Sequence, residues 1–251
     1  MSPNLLILAG TTEAAALARS VVQAGLSGTV SFAGRVERLP PQPLPQRVGG
    51  FGGVEGLAAY LRAHRVTHVI DATHPFAARM SANAIAACAQ TGVPLVALTR
   101  APWAPVPGDR WIRVCDIAGA VAALERPAAR VMLAVGRMHL AEFAPNPQHF
   151  YLLRLVEAPK EAFPFPDHHV VVDRGPFSAQ ADRCLMEGHD ISLVVSKNSG
   201  GTGAYAKIAA ARALGLPVIM IDRPAQAPRA EVESVEAVLD WVAHAGTALG
   251  V

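Results

Sequence analysis

The stretch from Leu193 to Ile208, LVVSKNSGGTGAYAKI, constrains what this chain can fold into more than any other. An aliphatic run, Leu193 to Val195, stops at Ser196; a polar, glycine-dense loop follows, and then an alanine-rich segment that reads as a helix. Strand, glycine loop and helix start, in that order, make a cradle for anions. Glycines let the backbone approach a ligand, and the first turn of a helix offers N–H groups with no intrahelical partner. Lys197 adds a positive charge at the strand end, and Asn198, Ser199 and Thr202 add short hydrogen-bonding side chains. The lysine precedes the glycines instead of following them, so this is not a Walker A loop. The same residues also serve as a plain capped connection between a strand and a helix.

The alternation recurs along the chain. Asn4 to Ala9 is a short buried strand, followed at once by Gly10, Thr11, Thr12 and Glu13, and then by Ala14, Leu17, Ala18 and Val21 at helical spacing. A first strand turning through glycine and hydroxyls into a helix is where doubly wound folds hold a pyrophosphate, although only Gly10 fits the dinucleotide fingerprint. Thr11 or Thr12 also suits the helix N-cap. A second strand lies near Thr29 to Phe32. Where an acid for ribose hydroxyls is usual, the chain has Arg35, with Arg38 and Arg47 nearby, which favours a 2′-phosphate and hence NADP. The proline cluster from Leu39 to Pro45 is surface loop. Gly49, Gly50, Gly52 and Gly53 lead into a helix with Val54, Leu57, Ala58 and Leu61 on one face.

Thr67 to Ile70 is the next strand, ending in Asp71-Ala72-Thr73-His74-Pro75-Phe76, with Pro75 placed to open the following helix. Asp71, Thr73 and His74 at a strand's carboxyl end are placed for ligand contact. A further strand covers Val93 to Leu98, and the prolines and glycine after it suggest a break near residues 101–115. Strands near 131–135, 151–155, 170–172, 191–195 and 218–221 then alternate with helices near 116–125, 178–187, 203–214 and 231–245. Elements alternating in this way argue for parallel sheet, with ligands outside the strand carboxyl ends. The expected fold class is therefore α/β: two domains, each a mainly parallel sheet flanked by helices, the first Rossmann-like. The expected division is 1–113 for NADP binding and 114–251 for a second α/β domain that contributes substrate-binding loops.

Charge sharpens the functional reading. Residues 1–115 carry 10 Arg, no Lys and 5 Asp or Glu, a net +5, whereas the remainder carries −3. A basic first half suits a polyanionic small ligand, and without lysine runs or interleaved aromatics it does not suit nucleic acid. Two residues past the last aliphatic position of six strands stands a cation: Arg35, Arg100, Arg137, Arg174, Lys197 and Arg223. In a parallel sheet these gather along one rim, a cleft suited to several carboxylates or phosphates. The histidines show no metal-ligand spacing, and Cys88, Cys115 and Cys184 form neither a disulfide framework nor a zinc motif, so small buried hydrophobes in a reducing cytoplasm are expected. No apolar run approaches the roughly 20 residues of a membrane span, and no secretory leader precedes the first strand.

LAGTTEAAALA, DATHPFAARMSANAIAAC, LTRAPW and SKNSGGTGAYAKIAAARALGLPVIMIDRP resemble the precorrin-6A reductase family of cobalamin biosynthesis, over nearly the whole chain. The resemblance implies two α/β domains, NADPH held mainly by the first and a tetrapyrrole in the cleft. It implies a hydride passed to one double bond of the macrocycle, with a proton added alongside, giving precorrin-6B. Gly10, Thr11, Thr12, Glu13, Arg35, Thr73 and His74 would then meet the coenzyme. Arg100, Arg137, Arg174, Lys197, Asn198, Ser199, Gly200, Gly201 and Arg223 would take the many acid arms of the substrate. His74, Asp71 and Tyr205 are proton-donor candidates by type, and a substrate carboxyl or a water is a further alternative. The partner implied is a small polycarboxylate tetrapyrrole, with no nucleic acid, membrane or metal, and transient contact with neighbouring pathway enzymes is compatible with it. Alternatives are the cobalt-containing version of the step, using NADH, a phosphotransferase using the second glycine loop for a nucleotide, and a silent NADP-binding sensor.

Overall fold

The computed structural model describes residues 2–34, 41–159, 162–173, 175 and 177–244. The first part of the chain runs β1 (Asn4–Ala9), α1 (Thr12–Gln23), β2 (Ser27–Phe32), β3 (Gln46–Val48), α2 (Gly53–Ala63), β4 (His68–Ala72), α3 (Ala78–Thr91) and β5 (Leu95–Leu98). Next come β6 (Arg110–Val114), α4 (Ile117–Ala122), β7 (Arg130–Ala134), a 3-10 helix (Arg137–Phe143), β8 (Phe150–Leu155) and β9 (His168–Val172). The chain ends with α5 (Ala179–Gly188), β10 (Leu193–Lys197), α6 (Ala206–Ala213), β11 (Pro217–Ile221), β12 (Ala230–Val232) and α7 (Val235–His244).

The strands form two six-stranded sheets, ordered β12-β5-β4-β1-β2-β3 and β6-β11-β10-β7-β8-β9. Every described pairing is parallel. The five inner-numbered strands of each sheet follow the same doubly wound order, and the sixth is exchanged. Strand β6 follows β5 in sequence but pairs with β11, and β12 follows β11 but pairs with β5. The compact units are accordingly residues up to Arg100 together with those from Ala225 onward, and Ala101–Pro224. This division differs from the expected 1–113 and 114–251. The break at 113 would cut β6, and the C-terminal strand and helix complete the first unit, not the second.

The aliphatic runs become strands because both faces of each sheet are covered. On one face of the first sheet, Leu5, Ile7, Ile70 and Val96 pack against Leu17 and Val21 of α1 and Val238 and Val242 of α7. On the other, Leu6, Leu8 and Val69 pack against Leu57 and Leu61 of α2 and Ala84 and Cys88 of α3. In the second unit Met132, Leu152, Val194 and Met220 pack beneath Met186 of α5 and Ile208 and Ala211 of α6. Each buried Leu, Ile or Val contributes roughly 1.5–3 kcal/mol, which is why short four- to six-residue runs hold their place.

Two details depart from the sequence expectation. Helix α3 starts at Ala78, not at Pro75, because Ala77 N donates to the His74 carbonyl at 2.7 Å and closes a turn first. Of the cysteines only Cys88 is buried; Cys115, just past β6, and Cys184, on the outer side of α5, are exposed. Burial pushes the Cys88 thiol up to about 12, with the Asp71 carboxylate adding to the effect.

Candidate functional site

Each sheet reverses its strand order at one place, and there the loops diverge and leave a crevice. In the first unit the reversal falls between β1 and β4, so the crevice is walled by Gly10 to Glu13 and by Asp71 to His74. Thr11 caps α1, accepting from Ala14 N at 3.2 Å, and its hydroxyl donates to the Ala72 carbonyl at 3.0 Å, tying the two walls together. A Cβ on Gly10 would lie 3.4 Å from His74 N, so the base of the crevice leaves room beside this glycine for little more than a methyl group. The α1 N-terminus beside it supplies unpaired N–H groups and the positive end of the helix dipole. Glu13 in the first turn lies 3.6 Å from Arg100. Arg100, a substrate-binding candidate, is thereby tied to the first turn of α1.

Asp71 is buried and its carboxylate is fully engaged. It accepts from Thr73 Oγ1 at 2.6 Å, Thr73 N at 3.1 Å, Ser81 Oγ at 2.6 Å and Arg229 Nη1 at 2.6 Å. A group so held shapes the loop; it has no lone pair left for chemistry. His74 is half-buried and accepts the Phe76 N–H on Nδ1 at 3.2 Å, which puts the proton of the neutral ring on Nε2. Arg47 is spent on Ser31 Oγ (2.9 Å) and the Gly49 and Gly50 carbonyls (2.9 and 3.1 Å), and lies over the Phe51 ring. Arg35 and Arg38 lie outside the described residues.

In the second unit the reversal falls between β7 and β10, whose ends lead to Gly136–Arg137 and to Lys197–Gly201. Lys197 is the last residue of β10, Arg137 opens the 3-10 helix after β7, and Arg223 follows β11. Of the described cations, Arg100 follows β5 of the first sheet and Arg137, Lys197 and Arg223 belong to the carboxyl edge of the second; Arg174 lies outside the described residues. Arg223 braces the glycine loop, donating to the Asn198 and Ser199 carbonyls at 3.0 and 3.1 Å. Asn198 points inward: Oδ1 accepts from Trp103 N at 2.7 Å and Nδ2 donates to the Trp103 carbonyl at 2.9 Å. The Trp103 indole closes the lock by donating to the Gly201 carbonyl at 2.7 Å. Gly200, at φ +67°, has no room for a Cβ, which would sit 2.3 Å from the Ala101 carbonyl oxygen and from Arg223 Nη2.

Beside this lock lies a mainly apolar hollow of about 560 Å³ lined by Trp103, Phe177, Gly201, Thr202 and Tyr205. The Tyr205 oxygen accepts from Arg212, which Asp109 holds at 2.8 Å. Next to Tyr205 on α6, Lys207 is buried against the Trp103 ring and donates to the Ala204 carbonyl at 2.7 Å. Burial pushes its ammonium down to about 7; Arg154 adds to this, and Asp182, paired with Arg154, opposes it. Trp103, Arg229, Lys207 and the Arg154–Asp182 pair were not singled out by sequence reasoning. The spacing of Lys207 ahead of Ala210 and Ala211 on one helix face is the one local sign of its burial. Among the described residues, no group of three His, Cys, Asp or Glu side chains could hold a metal ion. No described helix is long and apolar enough to cross a membrane.

A model of the family described as "Precorrin-6x reductase CbiJ/CobK" matches residues 4–243. The chain belongs to this family. It is 55% identical over 249 residues to a curated precorrin-6A reductase of Rhodobacter capsulatus, covering 99% of both chains. It is 42% identical over 242 residues to that of Mycobacterium tuberculosis, covering 96% of this chain and 97% of the relative. A cobalt-precorrin-6A reductase of Priestia megaterium is 30% identical over 253 residues, covering 96% and 97%. A solved structure titled "CobK precorrin-6A reductase" superimposes with a TM-score of 0.93 at 55% identity, covering 97% of each chain. Within the CbiJ/CobK family fold, the DATHPFA and SKNSGG blocks are the loops at the two switch points, which is where an α/β sheet presents its ligand edge.

Proposed function

We infer that the chain reduces precorrin-6A to precorrin-6B in cobalamin biosynthesis, taking the hydride from NADPH. The observation that carries this is the full-length likeness to precorrin-6A reductases. Substrate, coenzyme and product balance as NADPH and one proton entering, and NADP⁺ and the dihydro macrocycle leaving.

The β1/β4 crevice has the parts a pyrophosphate requires: a glycine at the strand end, a helix N-terminus beside it and hydroxyls of Thr11, Thr12 and Thr73 around it. The reduced nicotinamide supplies the hydride. Gly10 and the α1 N-terminus take the phosphates, Glu13 the ribose hydroxyls, and Arg35, on sequence grounds, the 2′-phosphate that favours NADPH over NADH. Arg137 and Lys197, at the carboxyl edge of the second sheet, pair with substrate carboxylates. Asn198 and Arg223 act indirectly there, holding the Ser199–Gly201 loop in its shape. Of the proton-donor candidates, Asp71 is consumed by its four hydrogen bonds; the His74→Gln and Tyr205→Phe variants separate the other two by which one abolishes turnover without loss of coenzyme binding, and a substrate carboxyl or a water remains the donor if neither does.

The metal-free substrate is favoured over the cobalt form by the higher identity to precorrin-6A reductases than to cobalt-precorrin-6A reductases. The deciding experiment incubates the protein with precorrin-6A and either NADPH or NADH, following coenzyme absorbance and product mass. Oxidation of NADPH with formation of the dihydro product supports the assignment. No oxidation, under conditions where a known reductase turns over, overturns it.

A further inference from the structure

The chain leaves the first unit after Arg100 and re-enters it at Ala225. Both crossings are tied by an arginine to the loops of the β1/β4 crevice: Arg100 to Glu13 on one, Arg229 to Asp71 on the other. The second tie is the tighter. Arg229 Nη1 and Asp71 Oδ2 are 2.6 Å apart, with the two side chains 10% and 1% exposed. Arg229 Nε also donates to Glu231 Oε1 in β12 at 3.1 Å, so the guanidinium is aimed from both ends.

Asp71 passes this contact on. Its second oxygen holds both the hydroxyl and the N–H of Thr73, and Thr73 and His74 are the backbone beside Gly10. Ser81 of α3 shares the oxygen that Arg229 occupies. Without Arg229 the carboxylate would be a buried charge with only neutral donors, and the Thr73–His74 wall would shift to let water reach it.

We propose that Arg229 is a positioning residue for the reductase reaction: through the Asp71 carboxylate it holds Thr73 and His74 in the arrangement that binds the coenzyme. This rests on the reading of the β1/β4 crevice as the coenzyme site. It also makes the segment returning from the second unit part of that site's support, so the site is complete only when β12 has docked on β5.

The test compares native protein with Arg229→Gln, Arg229→Lys and Asp71→Asn/Arg229→Gln, measuring KM for NADPH, KM for precorrin-6A, kcat and melting temperature. Arg229→Gln is expected to raise KM for NADPH about tenfold or more while leaving KM for precorrin-6A near native. The double variant, which removes the uncompensated charge, is expected to recover most of that loss. Arg229→Lys keeps the charge and so keeps the fold; its single point charge cannot serve Asp71 and Glu231 together, and KM for NADPH is expected to rise severalfold. A lower melting temperature with KM for NADPH within about twofold of native in both single variants would overturn the proposal and leave the coenzyme reading intact. Failure of the native protein itself to bind NADPH would remove the coenzyme reading and the proposal with it.

Discussion

Asn198 mimics a strand partner for Trp103: its side-chain amide satisfies both the N–H and the carbonyl of that one residue, at 2.7 and 2.9 Å, across 95 positions of sequence. The pair joins the segment entering the second unit to the glycine loop that opens at Lys197. Asn198→Ala would orphan two backbone groups, one donor and one acceptor, in a mostly buried setting. The expected loss is about 2 kcal/mol or more in urea unfolding. Asn198→Asp, which retains the acceptor and loses the donor, is expected to fall between the variant and native; equal stability of all three would remove the brace from the account.

Gly200→Ala tests the same loop by shape alone. The residue sits at φ +67°, and the added methyl meets a backbone carbonyl, not a yielding side chain. Strain and clash together are expected to exceed the ~1 kcal/mol of an ordinary left-handed alanine. Measured unfolding within a few tenths of native would contradict the geometry.

Lys207 provides a pH test with a fixed sign. Its folded pKa is depressed to about 7 from the ordinary 10.5, chiefly by burial. Below pH 7 the ammonium is charged whether or not the chain is folded, and the burial penalty is present in full. Between about 7 and 10.5 the unfolded chain holds a proton that the folded chain has released, so this group's penalty shrinks as pH rises. Lys207→Met should therefore gain stability relative to native at low pH and lose that advantage as pH climbs through this window. A melting-temperature difference independent of pH from about 6 to about 10 would show an unperturbed lysine.

Substitutions at Lys197 and Arg35 test the proposed assignment of the two ligands. Lys197→Ala is expected to raise KM for precorrin-6A about tenfold, the worth of one charge-assisted contact, and to leave NADPH binding unchanged. Loss of NADPH binding instead would exchange the two sites. Arg35→Ala is expected to narrow the preference for NADPH over NADH, read from the two KM values. Equal affinity for both coenzymes in the native protein would remove the 2′-phosphate argument.

Much of the fold was legible because buried parallel strands are short, aliphatic and bounded by glycine, as Asn4–Ala9 and Pro217–Ile221 are. Three strands were not. Gln46–Val48, Arg110–Val114 and Ala230–Val232 are edge strands, short or interrupted by charged residues and mostly exposed, so they lack the unbroken apolar run that marks an inner strand. The exchange of β6 and β12 between sheets is a long-range choice that leaves no local trace. In the loops, the glycines and polar residues are legible in the sequence, but the direction in which a side chain turns is not. Asn198 and Arg223 are at the expected loop but turn inward to hold it. Arg229 reaches Asp71 from 158 residues away, out of an alanine- and proline-rich stretch that reads as plain surface loop.

Hydride transfer from NADPH to the precorrin macrocycle, as proposed above, leaves an isotopic trace in the product. Turnover with NADPH carrying deuterium at the transferable nicotinamide position, with product mass as readout, tests it most directly. The expected product is precorrin-6B heavier by one deuterium when the label is on the face the protein uses, and unlabelled when it is on the other. Product that carries no deuterium from either face would contradict it.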